Sequence, residues 1–139
     1  MPWRNKGDSG TSGSRFLLDT NAITELLRGN AELSSLLNNA GFVAASVISE
    51  LEFLSFSGLS EHDAALFRDF RTVVEMFPVP AGDPSFTQLV VEARREYKMK
   101  LPAAIIAATA RANELSVVTA DEHFRSLNAP WNVRFFTPV

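Results

Sequence analysis

Cysteine is absent from the 139 residues, which excludes disulfides, thiolate metal sites and cysteine nucleophiles together. Histidine is nearly absent as well: His62 and His123 are the only two, too few for a histidine-rich metal centre. Any bound metal is therefore expected to be a hard, oxygen-liganded cation. Positive charge is also short. Thirteen Lys and Arg against 16 Asp and Glu leave a formal net charge of -3, so no global basic field gathers nucleic acid and such binding must use local patches. No apolar run approaches the roughly 20 residues of a membrane span, and the first residues lack the apolar segment of a signal peptide. The expectation is a cytoplasmic protein.

What is present is a chain that is 46% hydrophobic, enough for one domain with its own core. Residues 1–14 (MPWRNKGDSGTSGS) are rich in Gly, Ser and charge. They read as a flexible leader, in part of the kind an expression vector leaves, ahead of a single domain over 15–139. From there short apolar runs alternate with helical patterns. Phe16-Leu17-Leu18 precedes a helix opened by Asp19-Thr20-Asn21 and stopped at Gly29. Residues 31–39 form a second short helix. Phe42–Ala45 reads as a buried strand, and Ser49 with Glu52 fits a capping box at the start of the next helix. Residues 60–76, behind a Ser60 cap, place Ala64, Phe67, Phe70, Val74 and Phe77 at helical spacing. Phe77-Pro78-Val79 is a short strand, and Asp83-Pro84 opens a helix with Phe86, Leu89, Val90, Ala93 and Tyr97 inward. Pro102 begins another helix, Val117-Val118 is a strand, and Val133–Phe136 closes the pattern. Such alternation predicts an α/β fold with a mainly parallel, buried sheet, whose sites form at the carboxyl ends of strands.

Three acids fall at such ends: Asp19 after FLL, Glu52 on the helix that follows FVAA, and Asp121 after SVVT. Each alone is explained by capping. Together they repel, by roughly 4 kcal/mol per pair at about 4 Å and an effective dielectric near 20. A cation such as Mg2+ or Mn2+ relieves that repulsion and can activate water against a phosphate. Glu50 is the second choice to Glu52 as a ligand. Glu25 and Arg28 read as a surface pair, Asp63, Asp69, Glu92 and Glu96 as solvated helix faces, and His123 as a surface or capping residue. The basic cluster Arg94, Arg95, Lys98 and Lys100 is either a solvated helix face or a contact for RNA phosphates.

Four stretches, LLDTNAITELLRG, SVISELEFLSFSGLS, YKMKLPAAIIAATA and VVTADEHF, resemble in order and spacing the VapC-type toxins of the PIN-domain nuclease family. The resemblance covers residues 15–139. It implies a three-layer α/β/α sandwich and a Mg2+- or Mn2+-dependent endoribonuclease acting on tRNA or ribosomal RNA. It also implies a homodimer and a cognate antitoxin; the apolar residues Phe53, Leu54, Phe56 and Leu59 are either a surface for that antitoxin or ordinary core or dimer contact. Matched residue by residue, the family acids are Asp19, with Asn21 beside it, Glu52 rather than Glu50, and Asp121, with Thr119 as the accompanying hydroxyl.

The remaining family acid belongs to a leucine-proline-aspartate-alanine motif, and here its position is Ala103. One missing carboxylate inside an otherwise intact motif fits deliberate inactivation better than drift. The chain is expected to cleave RNA far more slowly than its Ala103→Asp version. A non-catalytic module that holds RNA or a protein partner is the alternative. A phosphate-accepting signalling domain is disfavoured, because the order of motifs supplies no acceptor on a central strand with a downstream lysine.

Overall fold

The computed structural model describes residues 13–139; the leader expected over 1–14 falls almost wholly outside them. The chain runs β1 (Arg15–Leu18), α1 (Thr20–Leu27), α2 (Ala31–Asn38), β2 (Phe42–Ser46), α3 (Val47–Leu54), α4 (Glu61–Val73), β3 (Glu75–Phe77), α5 (Pro84–Arg95), α6 (Leu101–Ala112), β4 (Ser116–Thr119), a 3-10 turn (Glu122–Ser126) and β5 (Val133–Phe135). The strands form one sheet in the order β3-β2-β1-β4-β5, and every pairing is parallel.

Side-chain alternation along the central strand builds the layers. Phe16 and Leu18 enter one core with Ile23, Leu33, Phe53, Phe67 and Phe70, from α1 to α4. Leu17 enters the other, with Ala93 of α5 and Ala104, Ile106 and Ala107 of α6. Successive strand residues point to opposite faces, so a run buried on both sides must be covered by helices twice. The expected α/β/α sandwich is the observed fold. On one face Phe67 stacks at 4.9 Å from Phe53 and 5.6 Å from Phe70, and on the other the small side chains of α6 let it pack close to the sheet.

Three local readings need correction. The helix after β2 is capped by Ser46, whose Oγ accepts the Ile48 N–H at 3.0 Å, not by Ser49. Because β2 pairs with β3 through Ser46 itself, the helix starts at once and Ser49 falls inside it, fully buried. Secondly, the helix capped by Ser60 ends at Val73, so Val74 and Phe77 leave its stripe; Glu75–Phe77 is the strand. Pro78, with no N–H to give a ladder, follows it rather than lying within it. Thirdly, Glu25 accepts from Asn30 Nδ2 at 3.1 Å and from the Val139 N–H at 2.9 Å. Those two contacts, the Val139 N–H first and then Asn30, hold its carboxyl below the usual range ahead of any help from Arg28.

Candidate functional site

The chain runs outward from β1 to β2 and β3, then returns to place β4 on the other side of β1. Between β1 and β4 the direction of winding reverses, and at such switch points the carboxyl ends of strands open a crevice. Asp19 is the first residue past β1, its N–H donating to Val118 O at 3.0 Å. Asp121 follows β4 by two residues. Glu52 reaches the same crevice from α3, and Ala103 from the first turn of α6. Asp19, Glu52, Ala103 and Asp121 line one open hollow of about 380 Å³ with Thr20, Asn21, Thr24 and Ile106.

Side chains of the DTN stretch and of Thr119 tie the crevice together. Asn21 Oδ1 accepts the Ala120 N–H at 3.0 Å, and its Nδ2 donates to Asp19 Oδ2 at 3.2 Å and Thr119 Oγ1 at 3.3 Å. Thr119 donates its hydroxyl to Asp19 Oδ2 at 2.8 Å and accepts the Asp121 N–H at 3.0 Å. One amide side chain thus joins the ends of β1 and β4. Thr20 serves the third acid: its hydroxyl donates to Glu52 Oε1 at 2.6 Å and lies 3.1 Å from Ser49 Oγ. With the cap at Ser46, Glu52 has no capping duty, and its carboxylate is held at the rim of the hollow.

Asp19 is only 6% exposed. Burial pushes its carboxyl up from 3.8 to about 6; the Thr119 hydroxyl and the Thr20 N–H oppose that rise, and the charges of Glu52 and Asp121 add to it. Removal from water disfavours the anion more than two hydrogen bonds recover. Asp121 is also the cap of the 3-10 turn, accepting the His123 N–H at 2.9 Å. His123 Nδ1 lies 2.9 Å from the same oxygen, on a ring that is mostly solvated.

The other sequence candidates sit elsewhere. Glu50 Oε2 is 2.6 Å from Arg71 Nε and does not border the hollow. Arg94 and Arg95 close α5, Lys98 occupies a left-handed turn (φ 57°) and Lys100 caps α6. All four are exposed, and none lines the acidic crevice. Glu92, expected on a solvated face, accepts from Trp131 Nε1 at 3.1 Å. Of the apolar stretch, Phe53 is core, whereas Leu54 and Phe56 are exposed along with Leu51. Sequence reasoning missed Thr20 as the group that holds Glu52, with Ser49 beside its hydroxyl. The signal was the threonine of DTN, passed over because a helix N-terminus already explains it.

A cation fits this donor set in kind: oxygen ligands only, with a carboxyl that burial first, and then its acidic neighbours, hold back from ionising. It fits less well in number. Among the described residues no three Asp, Glu or His side chains stand close enough to share one ion, and at Ala103, where the sequence resemblance leads one to expect a carboxylate, a methyl group borders the hollow.

The PIN domain family model matches residues 16–130. No curated protein sequence matches the chain significantly. Among solved structures, the chain is similar to a toxin–antitoxin complex from Klebsiella pneumoniae, at 27% identity and a TM-score of 0.68 over 88% of this chain and 97% of that one. It is similar in fold to VapBC2 from Rickettsia felis bound to a DNA fragment from its promoter, at 20% identity and a TM-score of 0.73 over 88% and 98%. A further likeness is to VapBC-5 from Mycobacterium tuberculosis, at 19% identity and a TM-score of 0.63 over 86% and 94%.

Proposed function

The chain belongs to the PIN domain family, and we propose that it is the toxin of a toxin–antitoxin pair, a Mg2+- or Mn2+-dependent endoribonuclease disabled at Ala103. The observation that carries this reading is the meeting of Asp19, Glu52, Asp121 and Ala103 around one hollow at the switch point of the sheet. Asp19 and Asp121 would hold the ion, weakly with Ala103 in place, and Glu52 stands at the rim beside them. When bound, it supplies an acidified water and stabilises charge on the phosphate being cut.

The protein's own residues do the rest. Asn21 and Thr119 fix the orientation of Asp19, and Thr20 fixes that of Glu52. Burial holds the carboxyl of Asp19 up at about 6 with no ion bound, so taking up a cation there would release a proton near neutrality. Ala103 withholds one carboxylate from the first turn of α6, a helix start with no side-chain cap, where a negative charge is otherwise welcome. We assign Lys98 and Lys100, on the approach to α6, with Arg94 and Arg95, to contact RNA phosphates. The substrate we assign is tRNA or ribosomal RNA and the compartment the cytoplasm; no helix among the described residues is long and apolar enough to cross a membrane. The partners are a cognate antitoxin, supported by the complexes in which the similar structures were solved, and a second copy of the chain.

A second reading is favoured by one observation: among the described residues, with Ala103 in place, no three acids share an ion position. On that reading the chain is a non-catalytic module that holds RNA or protein. Cleavage of a tRNA pool with Mg2+ or Mn2+ separates the two. The Ala103→Asp variant is expected to cut at least a hundredfold faster than the chain as it stands, about 2.7 kcal/mol of barrier. Equal rates defeat the idea that Ala103 disables it, and no cutting by either favours the binding module.

A further inference from the structure

On the far side of the Thr20–Glu52 contact lies a second, more enclosed hollow of about 210 Å³ that the acidic centre does not use. Thr20, Thr24 and Glu52 border both hollows, so the two lie side by side. Its walls are Leu27, Phe53, Phe56 and Leu66, and Arg28 and Asp63 stand among them. Phe56 is 64% exposed, an unusual position for a phenylalanine ring, yet it is seated. A Cβ on Gly58 would lie 2.7 Å from Phe56 Cε2 and 3.3 Å from Cζ, so a side chain there would shift the ring from this place. The space exceeds the roughly 150 Å³ in which an apolar cavity accepts benzene.

The neighbouring charge decides what fits. Glu52 and Asp63 border the hollow, which disfavours a phosphate or carboxylate there. A neutral, planar heterocycle meets no such repulsion. It gains apolar walls, an aromatic face to stack on, and a guanidinium and a carboxylate for its donor and acceptor edge. Resting on the nuclease reading, we propose that this hollow is a specificity subsite for one unstacked nucleobase of the RNA strand, next to the phosphate held at the acidic crevice. Phe56 is its stacking platform and Gly58 the residue that positions the platform.

The test is digestion of a random-sequence RNA pool by the Ala103→Asp variant, with sequencing of the fragment ends. One base class is expected to be enriched about tenfold at one fixed position beside the cut, the scale of a single base stack. Adding Phe56→Ala brings that position to near parity while cutting continues. Adding Gly58→Ala, which keeps the ring but moves it, has the same effect. Cutting whose preference is untouched by both substitutions overturns the subsite and leaves the nuclease reading standing. So does an unchanged preference accompanied by loss of a protein partner, which gives the hollow to that partner. No cutting by Ala103→Asp overturns both.

Discussion

The carboxyl of Asp19 makes a measurable demand on the fold. In the unfolded chain it titrates near 3.8, and in the folded protein near 6. Between those two pH values the folded state binds more protons than the unfolded one, so stability falls as pH rises through the interval. Above about 6 the full penalty is present; below 3.8 it is gone. The difference corresponds to roughly 3 kcal/mol of stability withheld at neutral pH, a large part of what a small domain has.

Replacing Asp19 by Asn removes that penalty but disturbs the bonds from Thr119 and Asn21 to Oδ2, at a cost of about 1 kcal/mol. The variant is therefore expected to be more stable than the parent by about 2 kcal/mol at pH 7.5, about 6 °C in Tm for a domain of this size. At pH 4 it is expected to be less stable than the parent. Urea unfolding of both chains from pH 4 to 7.5, with a chelator present to remove adventitious cations, measures the difference between them. That subtraction cancels the titration of every group the substitution leaves alone. A difference that stays constant with pH, or grows in favour of the parent as pH rises, refutes the reasoning that burial and like charge govern this site.

The remaining expectations concern how the crevice is assembled. Asn21→Ala leaves the Ala120 N–H without its partner and removes the amide that bridges the ends of β1 and β4; it should cost about 1–3 kcal/mol, read by the same urea titration. Ser46→Ala removes the cap of α3 and should cost about 1 kcal/mol; little change there would return the capping role to Ser49. Phe67→Ala opens the core beneath α3 and α4, where Phe67 is 1% exposed. It should cost about 3–5 kcal/mol, and a loss under 1 kcal/mol would show that the aromatic cluster repacks.

The sequence alone decided what local chemistry decides. Alternating apolar runs and helical stripes named the layered α/β fold, because burying a sheet on both faces leaves few other arrangements. Strand-end acids named the crevice, because switch points of parallel sheets gather whatever follows their strands. The gap at Ala103 was legible only through the resemblance, because it breaks that family's motif by one residue.

Tertiary structure decided what depends on partners distant in the chain. Ser49 fitted the cap by its spacing to Glu52 until the pairing of β2 with β3 ended the strand at Ser46 and gave the cap to that residue. Glu50 and Glu52 were near neighbours until Arg71 engaged one and Thr20 the other. The upward push on Asp19 exists only once β1, α3 and β4 bring burial, Glu52 and Asp121 together. Residues 32 and 100 positions apart in the chain make those bonds, and periodicity carries no record of contacts at that range.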